Sequence, residues 1–187
     1  MHDHDEDAGS AALLAALAAY APLDDREARM VAATIAFVQA TPACFSRAQP
    51  HGHITGSAWI LDAERTHALL VHHRKLDRWL QPGGHAENET DAYAVALREA
   101  REETGLQHLR LARPGIYDVD VHRIPARGAE AAHDHYDVRF AFVADRAEPL
   151  AVSAESHALA WRPIASLDRD GVDESVRRLA RKTAQLE

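Results

Sequence analysis

Hydrophobic positions in the first forty residues follow a helical period. Residues 10–20 are rich in alanine and leucine, and residues 24–40 carry Met, Val, Ile and Phe at helical spacing. Proline interrupts the pattern at Pro22 and ends it before Pro42, because its ring cannot continue a helix. The pattern therefore predicts a helical hairpin whose first helix is capped by Ser10.

After this hairpin the apolar positions change to a two-residue period, which is typical of strands with one buried face. Strands are predicted at residues 53–61, 67–73, 115–124, 133–145 and 158–164. The strands on either side of the loop at 126–132 are expected to pair as a hairpin. A last amphipathic helix is predicted from Ser166 or Asp173 onward. We therefore divide the chain into a helical appendage at residues 1–42 and a second domain at residues 43–187.

A helix without Gly or Pro is also predicted at residues 91–104. Asp91 can cap its first turn, and Gly105 lies where a helix commonly ends. The pair Gly83 and Gly84 lies upstream, where it permits a tight turn and a close approach of the backbone to a ligand. This segment is the one in which we expect the functional site.

The acidic face of that helix indicates cation binding. Glu99, Glu102 and Glu103 follow the i, i+3, i+4 pattern, so they share one face of one turn. Like charges at this spacing repel one another, and a divalent cation would remove the repulsion. A set of oxygen ligands suits Mg²⁺, Mn²⁺ or Ca²⁺ rather than zinc. The competing interpretation is a solvated face on which Arg98 and Arg101 pair with the glutamates.

The sequence from Gly84 to Leu106 resembles the Nudix box, the motif G-x5-E-x7-R-E-apolar-x-E-E-x-G-apolar. The matching positions are Gly84, Arg98, Glu99, Ala100, Glu102, Glu103, Gly105 and Leu106. Thr90 departs from the motif, because the family has its first glutamate at this position. The neighbouring Glu89, or Glu87, is the candidate to supply the missing carboxylate.

The resemblance covers about residues 52–168 and implies an α/β/α sandwich around a mixed β-sheet. The N-terminal helical hairpin lies outside it. It also implies hydrolysis of a pyrophosphate bond in a nucleoside-diphosphate-linked substrate by attack of a metal-activated water. Mg²⁺ is the expected cofactor, with Mn²⁺ as the alternative. The implied metal ligands are the carbonyl of Gly84 and the carboxylates of Glu99, Glu102 and Glu103.

The catalytic residues that follow from the resemblance are Glu99, Glu102, Glu103 and, as general base, Glu155. Glu155 comes first because it lies in a polar loop after the box, where many members of the family place a glutamate. Glu130, in the other predicted loop, is the second candidate, and Glu102 or Glu103 could serve through a metal-bound water. A plain surface carboxylate is the competing interpretation for each loop glutamate.

The residues expected around the substrate are His85, Arg98, Trp79 and Arg139. Arg98 would orient the acidic side chains rather than touch the substrate itself. Packing beneath the loop is the favoured role of Trp79, and base stacking comes second. Arg139 is a candidate phosphate partner, and His135 is a further histidine expected near the site.

Composition narrows the expected partners. The chain of 187 residues has a formal net charge of −8, so it lacks the basic surface typical of nucleic-acid binding. We expect a small nucleoside diphosphate derivative as ligand, no long nucleic acid, and a homodimer as an assembly common in this family. The sequence has no long apolar run, so no contact with a membrane is expected. Its acidic N-terminus lacks the basic region of a signal peptide, which favours a cytoplasmic location.

Two functions from other classes compete with hydrolysis. A non-catalytic Nudix-fold protein that binds or senses a nucleotide metabolite would keep the fold; Thr90 favours it weakly, and the intact glutamates oppose it. An isomerase acting on an isoprenoid diphosphate would need a Cys and a Glu in its site, but the single cysteine, Cys44, precedes the first predicted strand. None of the 13 histidines has zinc-finger spacing with cysteines, so we predict no structural zinc site.

Overall fold

The computed structural model describes residues 2–87, 89–128, 131–167 and 172–186. Its helices are α1 (His2–Ala19), α2 (Asp25–Ala40), α3 (Ala92–Thr104) and α4 (Glu174–Thr183), with a 3-10 turn at Ile164–Ser166. Its strands are β1 (Gly52–Leu61), β2 (His67–His73), β3 (Arg78–Leu80), β4 (Gly83–His85), β5 (Arg110–Leu111), β6 (Asp118–Ile124), β7 (His133–Val143) and β8 (Ser156–Pro163). No helix within the described ranges is long and apolar enough to cross a lipid bilayer.

The sheet is mixed, and β1 is its central strand. β1 runs parallel to β7 over its whole length and antiparallel to β2 and β4. β7 extends the sheet through β5 and β6, and β2 extends it through β3 and β8. β6 and β7 form the predicted hairpin, with antiparallel pairing from Asp118 opposite Arg139 to Ile124 opposite His133. The prediction of an α/β fold around a mixed sheet is confirmed.

Alternate residues of β1 enter different hydrophobic cores. Ile54, Ala58 and Ile60 pack with the apolar side chains of α1, α2 and α3. Trp59 and Leu61 point to the other face, where they pack with α4. All ten residues of β1 are buried as a result, which is expected for a strand that has helices on both faces.

The helix ends agree with the sequence signals except at the start of α1. The predicted caps Asp24, Asp91 and Asp173 each accept a backbone N–H in the first turn of their helix. The prediction that Ser10 caps α1 is wrong, because α1 already begins at His2. Ser10 lies inside α1, where its Oγ is 3.5 Å from the buried Sγ of Cys44.

A network of buried charges joins α2, β6, β7 and α4. Its members are Glu27, Asp118, Asp120, Asp137, Arg139, Arg178 and Lys182. Arg178 donates to Asp118 at 2.7 Å and to Asp120 at 3.0 Å. Lys182 lies 3.0 Å from Asp118 and 2.5 Å from Glu27. Because Glu27 belongs to α2, the network fastens the helical hairpin to the sheet; the domain boundary at residue 42 stays a prediction.

The substitution Arg178→Met should lower the free energy of unfolding by about 3–5 kcal/mol, because it removes one of the buried cations that neutralise Asp118 and Asp120. Arg181→Met is the matched control on the same helix. Arg181 is 46% exposed and pairs with the exposed Glu174, so its loss should change stability by about 0.5 kcal/mol or less. Urea unfolding of the two variants measures both effects. Equal losses would show that the buried network contributes no more than a solvated pair.

The loss caused by Arg178→Met should shrink in acid. Burial opposes ionisation of Asp118 and Asp120. Hydrogen bonds from Arg178 to Asp118 and from His122 to Asp120, together with the neighbouring cations, outweigh burial and hold both pKa values below their ordinary range. Such carboxyls stabilise the fold above their unfolded pKa of about 3.9, and this stabilisation is lost as the pH falls through the folded pKa. In the variant the aspartates protonate at higher pH, so the difference between variant and wild type should narrow below about pH 4.

Candidate functional site

Helix α3 carries three glutamates that differ in exposure. Its apolar residues Val95, Ala96 and Ala100 face the core, which fixes the rotation of the helix against the sheet. This rotation buries Glu103, whose exposed fraction is 7%, and leaves the side chain of Glu99 14% exposed. Glu102 points outward, and its side chain is 60% exposed. The cluster therefore runs from a buried to a solvated carboxylate.

The glycine pair of β4 lies directly against this cluster. The backbone N–H of Gly83 donates to the Oε2 of Glu103 at 3.0 Å. A Cβ atom on Gly84 would lie 2.5 Å from the Oε1 of Glu99. A side chain at position 84 would therefore displace that carboxylate, which explains why the segment needs glycine there.

Arg98 organises the acidic side chains from beside the cluster. Its Nη1 lies 2.9 Å from both Glu99 and Glu102, and its Nη2 donates to the carbonyl oxygen of His85 at 2.7 Å. Its Nε donates to Glu89 at 2.6 Å. This geometry agrees with the orienting role that the sequence indicates for Arg98.

Glu89 supplies a carboxylate next to the motif position at which this sequence has Thr90 instead of glutamate. Its hydrogen bonds from Arg98 lower the pKa of the Glu89 carboxyl, so this group is an ionised partner of the guanidinium. The neighbouring candidate Glu87 contacts Glu89 through its own backbone N–H instead. Among the two candidates, the structure thus favours Glu89 as the replacement carboxylate.

The positive charge around the carboxylates near Gly84 is not enough to neutralise them. Burial, together with the charges of Glu99, Glu155 and Glu102, raises the pKa of Glu103 to about 7, although the Gly83 N–H acts in the opposite direction. Burial also raises the pKa of Glu99 against the influence of Arg98. Oxygen donors that are crowded, buried and incompletely neutralised fit a hard divalent cation such as Mg²⁺.

Glu155 lies close enough for its negative charge to influence this cluster. It is exposed in the loop before β8, and its backbone carbonyl accepts the N–H of Arg74. Its negative charge contributes to the raised pKa values of both Glu99 and Glu103. The second candidate base, Glu130, lies outside the described residues.

The structure contradicts one predicted substrate contact. Arg139 is 2% exposed and belongs to the buried charge network, where it donates to Asp137 at 2.7 Å, to Asp120 at 3.0 Å and to Asp118 at 3.1 Å. Its donors point at carboxylates within the core, so they cannot reach a phosphate in a surface cleft. The signal was present in the sequence, because Asp118, Asp120, Asp137 and Arg139 alternate along two strands expected to pair.

Trp79 and Cys44 have packing contacts rather than contacts with the box. The ring of Trp79 stacks on His72 with centroids 4.9 Å apart, and the guanidinium of Arg162 lies over it at 5.5 Å. This arrangement agrees with the favoured packing role of Trp79. Cys44 is fully buried in the core beneath α1 and α2, so it is not placed for chemistry on a substrate.

The side chain of His85 takes part in a group of histidines that periodicity alone did not reveal. Its ring lies within 5.0 Å of the rings of His53 and His135. Burial, followed by neighbouring charged groups, lowers the pKa of His85 to about 4 and that of His135 to about 2. Both rings are therefore neutral at physiological pH. The spacing of His133 and His135 on one strand was the available signal for this group.

A cavity of about 1000 Å³ is lined by residues of α1 and of the loop before α3. Its lining includes Ala12, Tyr93 and Phe140, together with the charged Arg47 and Glu89. The three clustered glutamates of α3 are not among the described residues that line it. This cavity is therefore distinct from the carboxylate cluster, although Glu89 touches both.

The comparisons with known proteins agree on one family. The family model described as the NUDIX domain matches residues 52–182. A C. elegans Ap4A hydrolase in a binary complex is similar in structure, with a TM-score of 0.56 and 16% identity over 71% of this chain and 95% of that chain. A NUDIX-family hydrolase from Clostridium perfringens has a TM-score of 0.52 and 22% identity over 74% and 99% of the two chains. The E. coli dihydroneopterin triphosphate pyrophosphohydrolase has a TM-score of 0.55 and 17% identity over 69% and 92%. No curated protein matches the sequence.

The substitution Glu103→Gln should stabilise the protein at pH 8 in the presence of a chelator, by roughly 1–3 kcal/mol. It removes a charge that burial and neighbouring carboxylates disfavour, while the amide oxygen can still accept the Gly83 N–H. A carboxyl with a raised folded pKa stabilises the fold at low pH, and this stabilisation is lost as the pH rises through about 7. The gain should therefore be much smaller at pH 5 than at pH 8.

Chemical denaturation at the two pH values measures this gain. Glu64→Gln is the control, because Glu64 is an exposed carboxylate in the turn between β1 and β2. A Glu103→Gln variant that is equally stable or less stable than the wild type at pH 8 would show that the Glu103 carboxylate is already neutralised.

Proposed function

The chain belongs to the Nudix family, and we propose that it is a divalent-metal-dependent hydrolase that cleaves the pyrophosphate bond of a nucleoside-diphosphate-linked small molecule. The observation that carries the proposal is the convergence of Glu99, Glu102 and Glu103 with the glycine pair of β4. Two proteins with similar folds are named as an Ap4A hydrolase and a pyrophosphohydrolase, which supports phosphoanhydride hydrolysis as the reaction type.

Mg²⁺, or alternatively Mn²⁺, is the cofactor that suits this set of oxygen donors. The residues that would hold it are Glu99, Glu102, Glu103 and the carbonyl of Gly84. A cation bound there would supply charge neutralisation at the phosphate oxygens and would make a water molecule more acidic. The raised pKa values of Glu99 and Glu103 support this assignment, because they show that the protein alone does not neutralise these groups.

The protein's own groups have separate roles in the proposed reaction. Arg98 holds Glu99 and Glu102 in place and is itself fixed by Glu89, so it acts as a positioning residue. Glu155, on the exposed loop beside the cluster, would accept a proton from the attacking water. His85 directly follows Gly84, but its ring faces His53 and His135, so we assign it no contact with the substrate.

The binding-protein alternative loses its main support. That support was the replacement of the first box glutamate by Thr90, which would remove a carboxylate from the neighbourhood of Arg98. Glu89 supplies a carboxylate to Arg98 at 2.6 Å, so the replacement leaves the arginine paired. We therefore favour hydrolysis, in which the nucleotide portion and the leaving group of the substrate are to be identified by experiment.

Glu102→Gln should lower the rate of hydrolysis by about 100-fold or more, because it removes one oxygen donor from the cluster. A phosphatase-coupled assay of phosphate release, with Mg²⁺ or Mn²⁺ and a panel of nucleoside-diphosphate-linked compounds, would first identify the substrate. Glu64→Gln, which changes an exposed carboxylate elsewhere, should keep full activity. Binding of a compound, seen as a raised melting temperature without turnover of any panel member, would instead support the binding protein.

Glu155→Gln should lower kcat by roughly 100-fold or more with little change in the Mn²⁺ concentration that gives half-maximal activity. The reason is that Glu155 would remove a proton from water rather than hold the cation. The residual rate should rise with pH, since hydroxide can replace the lost base. Unchanged turnover would remove Glu155 as the base, whereas a large shift in the Mn²⁺ dependence would make it a metal ligand.

A further inference from the structure

Strand register brings five histidines together on the face of the sheet opposite α3, namely His53, His85, His122, His133 and His135. His53 on β1 lies opposite His135 on β7, and His85 on β4 lies opposite Thr55, two residues from His53. His133 precedes His135 by two residues. Because side chains alternate along a strand, these positions share one face. Gly56, of the opposite parity, lies against the backbone of α3, which places the helix on the other face.

The ring nitrogens of this histidine cluster converge. The Nε2 atom of His135 lies 3.2 Å from the Nε2 of His85 and 3.2 Å from the Nε2 of His133. One ligand atom each from His53, His85 and His135 can be chosen so that all lie within 4.8 Å of one another. In tetrahedral zinc sites with Zn–N bonds of about 2.0–2.1 Å, neighbouring nitrogens are about 3.3 Å apart. The two close distances match this separation.

Hydrogen bonds between the rings do not account for the close approach of all these nitrogens. The Nδ1 of His133 lies 2.9 Å from the carbonyl oxygen of Ala131, which only accepts, so Nδ1 carries the hydrogen. In a neutral ring the Nε2 of His133 then presents a lone pair toward the Nε2 of His135. The Nε2 of His135 has one hydrogen at most, yet it faces both His133 and His85 at the same distance. A cation at the centre would use all of these lone pairs at once.

We propose that His53, His85 and His135, with His133 beside them, bind a divalent metal ion such as Zn²⁺ at a site separate from the carboxylate cluster. Imidazole nitrogens suit Zn²⁺, Cu²⁺ and Ni²⁺, whereas Mg²⁺ prefers oxygen ligands. The contact of His133 with the Ala131 carbonyl is the kind of interaction that fixes the tautomer of a metal-binding histidine. The sequence itself predicts no structural zinc site, because no histidine has zinc-finger spacing with cysteines. The present set of ligands consists of histidines alone, so that spacing rule does not apply to it. The proposal does not depend on the proposed hydrolase activity.

The role that fits this position is structural. The ligands come from β1, β4 and β7, so a bound ion would fasten the short strand β4 to the centre of the sheet. His85 is the link to the carboxylate cluster, because its carbonyl accepts from Arg98 at 2.7 Å while its ring faces the other histidines. Metal at the histidine cluster should therefore hold the glycine pair and Arg98 in their present positions.

Zinc titration of chelator-treated, untagged protein tests the proposal. All proteins carry His2→Ala and His4→Ala, which removes two histidines at the chain terminus. The expected result is one zinc per chain by elemental analysis, retained in excess Mg²⁺. His85→Ala and His135→Asn should each weaken zinc binding by about 100-fold or more in competition with a chromophoric chelator. Co²⁺ should give the strong visible bands of a four-coordinate site in the wild type and lose them in both variants.

Two controls separate the histidine cluster from other binding. The double substitution His51→Ala/His108→Ala removes two exposed imidazoles and should leave zinc binding unchanged. Glu102→Gln should also leave it unchanged, which distinguishes this site from the carboxylate cluster. Circular dichroism of the metal-free variants verifies folding, and the half-buried His85 gives a second test if His135→Asn does not fold. The proposal is overturned if the wild type binds no zinc or if His85→Ala binds zinc as tightly as the wild type.

Discussion

The position of the guanidinium of Arg98 determines how charge is distributed over the carboxylate cluster. Its hydrogen-bonding partners are Glu89, Glu99, Glu102 and the carbonyl of His85. The planar group with five N–H donors can meet all of these acceptors together, which an ammonium group could not. Glu103 accepts a hydrogen bond from the Gly83 N–H but none from Arg98. The most buried member of the cluster is therefore the least neutralised.

In the buried charge network, unlike in the carboxylate cluster, cations neutralise the buried carboxylates. Asp118 and Asp120 are as inaccessible as Glu103, but Arg139 and Arg178 lie beside them and keep their pKa values low. Burial acts in the same direction on all three carboxyls, so the difference comes from the neighbouring cations. The aspartates are therefore suited to stabilise the fold. Glu103 has a pKa of about 7 and is paired with no cation among the described residues, which is typical of a functional site.

The parts of the site that depend on local spacing were predictable from the sequence. Glu99, Glu102 and Glu103 had to share one face once α3 was recognised, and the resemblance to the Nudix box implied that Gly84 lies near them. Register and loop conformation decided what was missed. Glu89 and Glu87 were both candidates, and only the path of the loop before α3 shows that it is Glu89 that reaches Arg98. Arg139 was misassigned because its burial follows from the pairing of β6 with β7.

Strand alternation also explains how two chemically different clusters occupy adjacent positions. Gly84 lies against Glu99, and the next residue, His85, turns its ring to the opposite face of β4. Oxygen donors therefore collect on the α3 side, whereas imidazoles from three strands collect on the other side. β4 contains only Gly83, Gly84 and His85, so the two clusters are one residue apart along the chain. The short strand thus places them side by side, although their ligand chemistry would favour different ions.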